Sequence, residues 1–446
     1  MPRLPPNRDL TRDELLNLDK NVLVSKIVRL ESHNLQLKNI INKHLGIEGD
    51  IEAEIKRDNT LFIRCDYRRV LLRVMYFGWD YKGLAVQEGT SQTIEHHLFK
   101  ALMKGCLIER RETSNYHRCG RTDKGVSAFG QVISISLRSS FAPEDQNLPS
   151  SIAAELPYCK ILNRLLPKEI RVVAWMPIPA DKPEFSARFD CKKRQYKYYF
   201  PRSMLDINAM RAACAHLVGS HDFRNLCKMD VGNGVTEFCR EIFKAEILPV
   251  NEESETPTTM YYVLIEGNAF LWHQIRCIMG VVFLVGERKE EPSIILELLD
   301  IVANPRKPHY FMALDVPLNL FHCSYELEDS RWVYNTEELK TLIIHVQKEW
   351  TVHQVKTTMI KDCLEELESE YAKLKEKEAD EAQNAGSSTM SQDNRIIEYS
   401  DYLTPGLKPK VYKPIYQRGT CSSLEERMAY YAKKRRLDEG PEKKEE

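Results

Sequence analysis

Between residues 132 and 137 the chain alternates Ile133, Ile135 and Leu137 with Val132, Ser134 and Ser136. A period of two predicts a strand with one strongly apolar face. Residues 70–76 predict a second strand and residues 93–103 a helix, while the unbroken apolar run 277–285 predicts a buried helix. In 194–200, Tyr196, Tyr198 and Phe200 fall on one side of a strand. No regular parallel strand–helix–strand period runs through this middle region, so the pattern predicts an α+β fold.

A different period marks the N-terminus. Thr11 and Glu14 have capping-box spacing, and Leu16, Leu23, Leu30 and Leu37 then recur every seven residues. Lys20, Ile27, Asn34 and Ile41 occupy the alternate seam, so residues 1–50 predict a coiled-coil helix forming a parallel homodimer. The competing reading is an amphipathic helix packed on its own catalytic domain. Beyond the middle region, 335–382 predicts a highly charged helix, opened by Asn335 and acids in the first turn. Residues 383–394 are polar and small, which predicts a linker. The C-terminal extension, 395–446, carries a short helix with a basic end at Lys433 to Arg436, suited equally to a nuclear address, the helix dipole or RNA.

The 64 basic and 65 acidic residues among 446 leave a net charge of −1. A generally basic nucleic-acid binder is excluded, and any RNA site must be a local stripe. Two stripes exist: Lys104, Arg110, Arg111, Arg118, Arg121 and Lys124, and then Arg188, Lys192, Lys193, Arg194, Lys197 and Arg202. Twelve cysteines contain no C-x-x-C pair, so no metal site and no disulfide framework are expected. The opening residues lack an apolar signal core and no run is long enough for a membrane helix. A soluble protein of the nucleus and cytoplasm is expected.

The first basic stripe leads into Tyr116-His-Arg-Cys-Gly-Arg-Thr-Asp-Lys-Gly-Val-Ser-Ala-Phe-Gly-Gln131. Three glycines allow a tight turn that presents Asp123 just before a strand. Gly120 to Ala128 resembles the Gly-Arg-Thr-Asp-x-Gly-Val-His-Ala signature of the TruA family of tRNA pseudouridine synthases. Further family motifs follow in order: 162–167, 185–189, 194–198, 219–223 and 270–276, so the resemblance spans roughly 69–325. Ser127 stands where many bacterial members have His, and Leu84-Ala85-Val86 replaces their Trp-Gln. Both variants look like the eukaryotic branch that modifies tRNA positions 38 and 39.

The resemblance implies a pseudouridine synthase fold: two similar half-domains, 57–175 and 176–334, sharing a mostly antiparallel sheet with flanking helices. It implies tRNA as partner and no cofactor. Asp123 is implied as the catalytic aspartate, either adding as a nucleophile or taking the sugar 2′ proton. Arg276 is its implied charge partner, and Tyr196 the tyrosine that stacks on the base and removes the C5 proton. Arg121 is implied to fill the space left by the flipped base. Arg118, Lys124, Lys193, Arg194 and Lys197 are expected as RNA contacts. His117, His221 and His273 lack spaced partners and are expected in structural roles, and Asp222 is expected to shape a helix start.

Overall fold

The computed structural model describes residues 62, 65–251, 256–384, 399–406 and 411–438. The heptad helix and residues 385–394 of the expected linker lie outside them. Among the described residues nine strands form a single sheet: β1 (Asp66–Tyr76), β2 (His117–Arg118), β3 (Ser127–Ser139), β4 (Ile170–Pro177), β5 (Cys191–Pro201), β6 (Gly219–Asp222), β7 (Cys239–Pro249), β8 (Met260–Gly267) and β9 (Leu318–Tyr325). The order is β4-β1-β3-β9-β5-β8-β7-β6, with β2 paired to β3. Strands from the first part of the chain thus make one flank, and those from the second part the other. Every pairing is antiparallel except the seam, where β3 and β9 run parallel through Ser127–Asn319 and Ala128–Leu320. The mixed α/β architecture matches the pattern of the sequence, and the mostly antiparallel sheet matches what the family resemblance implied.

Helices α1 (Ile94–Lys104), α2 (Pro149–Ala153) and α3 (Tyr158–Leu165) serve the first flank; α4 (Ile207–Ala215), α5 (Gln274–Gly286) and α6 (Ile294–Leu299) serve the second. Beyond Arg276 helix α5 is apolar all round, and it is buried almost throughout, as a helix with no polar face must be. Its Phe283 meets Tyr198 and Phe200 of β5 edge-on, so the even-numbered aromatic face of β5 is core.

Strand β3 differs from expectation. Its polar side is covered too, and Ser134 is fully buried. The hydroxyl accepts from the Ala187 amide at 3.1 Å, which satisfies a polar atom that central placement takes from water.

Two long elements follow the sheet. Helix α7 (Thr336–Asn384) begins where the Asn335 side chain accepts from the Glu338 amide. It touches the first flank through His345 on the Lys168 carbonyl and His353 against Trp79. Helix α8 (Leu424–Asp438) starts with a capping box, Ser423 and Glu426 each receiving the other's amide. It returns to the second flank, where Arg427 donates to the Met229 carbonyl and Glu425 pairs with Arg224. Among the described residues no helix is long and apolar enough to cross a membrane.

Candidate active site

The loop from Cys119 to Val126 is held from three sides before any ligand is considered. The Thr122 hydroxyl lies 2.7 Å from Tyr76 Oη, and Gln131 donates to the Gly120 carbonyl at 2.9 Å. Leu84 N donates to Thr122 O and Gly125 N to Tyr81 O, so the segment after β1 clamps the loop through its backbone. Gly125 turns with φ +78°, where a Cβ would stand 2.9 Å from the Asp315 carboxyl. At Gly130 the Phe321 carbonyl approaches so closely that a Cβ would lie 2.4 Å from it. Ser127, at the position where the bacterial motif has His, is buried and accepts from the Gly78 amide at 3.0 Å.

Asp123 is thereby presented half-buried at the loop tip, facing the segment that leads into α5 from the other flank. The Trp272 indole N–H donates to Asp123 Oδ1 at 3.1 Å, and His273 Nε2 stands 3.5 Å from Oδ2. Burial raises the Asp123 carboxyl above its ordinary value; the Arg276 charge opposes this most strongly, followed by the Trp272 hydrogen bond. His273 is pushed down to about 4, first by burial and then by the positive charges of Arg276, Lys228 and Lys307. It is therefore neutral at pH 7, and its contact with Asp123 is polar rather than ionic. His273 also has left-handed backbone, φ +59°, immediately before α5, a conformation that stores strain beside Asp123.

Arg276, the charge partner implied for Asp123, makes its own hydrogen bond and ion pair with other residues. Arg276 Nε donates to the Ala313 carbonyl at 2.9 Å, which turns the guanidinium so that Nη2 lies 3.7 Å from Asp315 Oδ2. Arg276 is buried and still acts on Asp123 through its field. Trp272, Asp315 and Lys228, whose ammonium sits 4.0 Å over the Trp272 ring, were not anticipated. The motif 270–276 contained the signal for Trp272; Asp315 had none.

Tyr196 is buried on β5 and packs edge-on against Phe270, ring centroids 5.1 Å apart. The segment 270–276 therefore touches Tyr196 at one end and Asp123 near its middle. Burial, with lesser contributions from neighbouring thiols, holds the Tyr196 phenol well above its ordinary range. It enters any reaction protonated, and can accept a proton only while passing its own on.

The expected RNA contacts separate. Arg121 and Lys124 are exposed beside Asp123. Arg118 turns inward instead, donating to Glu95, which is fully buried and also takes Arg111 at 3.3 Å and Tyr116 at 2.8 Å. A buried carboxylate must be paired, and this need engages two members of the first basic stripe, Arg111 and Arg118. Lys193 and Lys197 lie on the face of β5 opposite Tyr196, as the period of two requires. Lys193 pairs with Glu266 at 3.0 Å, and Lys197 stands 3.9 Å over Phe321 and 4.5 Å over Tyr262. Arg194 shares the Tyr196 face, and its guanidinium donates to the carbonyls of Cys119, Arg188 and Asn268. Away from the cleft, Asp222 caps the Arg224 amide at 2.9 Å and His221 meets the Val218 carbonyl. Cys119, Cys191 and Cys323, far apart in sequence, gather their sulfurs within 4.8 Å of one another.

A family model described as tRNA pseudouridine synthase matches residues 213–326. The tRNA pseudouridine(38/39) synthase of Mus musculus is 42% identical over 442 residues, covering 96% of this chain and 89% of the mouse protein. The chain belongs to the TruA family of tRNA pseudouridine synthases. The enzymes of the same name from Homo sapiens and Saccharomyces cerevisiae are 44% and 37% identical, covering 83% and 74% of this chain and 78% of each of those proteins. Membership makes the protein an RNA pseudouridine synthase, an isomerase, and its mostly antiparallel sheet is consistent with the pseudouridine synthase fold. Among solved structures, an archaeal box H/ACA sRNP Nop10-Cbf5 complex overlaps 48% of this chain and 53% of its own at 12% identity and TM-score 0.20, too little to carry an argument.

Proposed function

We propose that this enzyme isomerises uridine to pseudouridine in the anticodon stem-loop of tRNA, at positions 38 and 39, with Asp123 as the catalytic group. The names of the mouse, human and yeast relatives support the position, as do the Ser127 and Leu84 variants. The observation that carries the chemistry is Asp123 itself, a desolvated carboxylate held at a loop tip under the Trp272 N–H and the Arg276 charge.

The reaction breaks the bond from sugar C1′ to base N1, rotates the base and joins C1′ to C5; the C5 proton is lost and N1 gains one. Atoms balance without an external reagent, so no cofactor is required. Asp123 either adds as nucleophile or removes the 2′ proton. Tyr196 offers its ring to the base, and its phenol relays the C5 proton. A stacked uridine cannot reach a carboxylate inside a stem, so the nucleotide leaves the helix and exposed Arg121 takes its place. Lys124 contacts phosphate, as does Arg194 if the RNA displaces one of its carbonyl partners.

The reading extends to assembly. The flanks either side of the β3–β9 seam are similar half-domains that close over the RNA, and the heptads of residues 1–50 join two chains in a homodimer acting in nucleus and cytoplasm. Mapping pseudouridine in total tRNA from cells with and without the gene tests activity and position together. Loss confined to 38 and 39 is expected, and an unchanged map overturns the proposal. Asp123→Asn should bind tRNA within a few-fold of wild type and form no pseudouridine; turnover by that variant removes Asp123 from its role.

A further inference from the structure

Three thiols from three separate elements meet under the Asp123 loop. Cys119 follows the short β2 strand and opens the Asp123 loop, Cys191 begins β5, and Cys323 lies on β9. All three are buried, at 2%, 8% and 6% exposure. Their sulfurs lie within 4.8 Å of one another, with Cys119 and Cys323 only 3.3 Å apart. Hydrophobic packing explains a single buried cysteine but gives no reason for three sulfurs to converge.

We propose that Cys119, Cys191 and Cys323 form a binding site for one thiophilic divalent metal ion of the zinc class. Thiolates around a common Zn²⁺ at about 2.3 Å stand roughly 3.7–4.0 Å apart, so Cys119 and Cys323, at 3.3 Å, must open by about half an ångström, and the remaining sulfur distances, none beyond 4.8 Å, close by about one ångström at most. Binding exchanges protons for metal: three thiols release three protons, and the resulting tris-thiolate complex carries one negative charge. A compensating cation is present. Arg194 lies opposite Cys323 in the β5–β9 register, and its guanidinium donates to the Cys119 carbonyl at 3.1 Å. Among the described residues its hydrogen-bond partners are neutral carbonyl oxygens, so the thiolates formed on metal binding would be the anions that answer its charge. Soft sulfur donors select zinc-class ions over magnesium or calcium, and the fourth tetrahedral position is left to a solvent molecule.

The site is distinct from the isomerisation chemistry. Its ligands tie the start of the Asp123 loop to β5 and β9, so the ion pins the catalytic loop to the second flank and takes no part in bond breaking. Cadmium is a direct probe, because thiolate-to-cadmium charge transfer gives an ultraviolet absorption. Full-length, reduced, chelator-treated protein titrated with Cd²⁺ should develop that absorption and saturate at about one equivalent, and Zn²⁺ should abolish it by competition. Cys191→Ser should remove the absorption, whereas Cys363→Ser, at an exposed position on α7, should retain it. If Cys191→Ser fails to fold, the wild-type titration decides. Absence of the band in wild type, its persistence in folded Cys191→Ser, failure of Zn²⁺ to compete, or a Cys119–Cys323 disulfide in the native protein overturns the proposal.

Discussion

Trp272 holds Asp123 by an indole N–H···O bond of 3.1 Å that joins residues 149 apart in the chain. One oxygen of the carboxylate is oriented by it and the other is left towards His273. Trp272→Phe keeps most of the ring and deletes the donor. A hydrogen bond to a charged group contributes about 1.5–3 kcal/mol, so kcat/KM should fall roughly 10- to 100-fold. A single-turnover assay with an anticodon stem-loop RNA measures it, and an unchanged rate would show that the bond has no part in catalysis.

The acid side of the pH–rate profile should report Asp123. Its carboxyl is raised by burial, so activity should be lost, as pH falls, at a pH above the ordinary carboxylate range. His273 is already neutral above about 4 and adds no step at higher pH. Because the Arg276 charge lowers the Asp123 value, Arg276→Gln should move the acid limb to higher pH, whereas Lys124→Gln, at an exposed position, should leave it in place. Arg276→Gln should also reduce the plateau rate by more, since it removes a buried charge facing two carboxylates. A limb unmoved in Arg276→Gln would disconnect the arginine from Asp123.

Tyr196→Phe preserves the edge-on contact with Phe270 and removes only the hydroxyl. RNA affinity should stay within a few-fold while pseudouridine formation stalls after the glycosidic bond is broken. Quenched-flow analysis should then show a rearranged or covalent RNA species accumulating. Normal turnover would reduce Tyr196 to packing.

Arg118 supplies a contrast between a structural arginine and an RNA contact. Arg118→Ala removes one of the two arginines paired with the buried Glu95; because Arg111 and Tyr116 stay in place, the loss should fall below the about 3–5 kcal/mol of a buried pair broken outright. The melting temperature should drop, with tRNA affinity per folded molecule nearly unchanged. The double variant Arg118→Met/Glu95→Gln should recover part of the loss. Weak binding by an equally stable Arg118→Ala would return the residue to the RNA surface.

The sequence disclosed most where chemistry and geometry are local. Gly125 had to be glycine for the turn to carry Asp123, and Tyr196 and Lys197 had to face opposite ways, although only the sheet showed what each face meets. Inward versus outward was not legible for Arg118, because its partner Glu95 sits on α1 and no spacing links the two. Nor could spacing reveal that Arg276 is aimed by the Ala313 carbonyl at Asp315, or that three distant cysteines converge. Each depends on strands brought together only when the sheet closes.

The parallel seam between β3 and β9 also has a consequence for synthesis on the ribosome. Phe129 N donates to Asn319 Oδ1 at 3.0 Å between residues 190 apart, and the β3–β9 ladder cannot form until β9 exists. Long-range closures of this kind form slowly. The first flank can assemble early with its Asp123 loop already clamped by its own backbone, yet without Trp272, Arg276 and Asp315 around the carboxylate. A nascent chain stalled before residue 318 would hold Asp123 in its clamped loop without the β3–β9 ladder that ties the two flanks together, so the site is completed only once β9 is made.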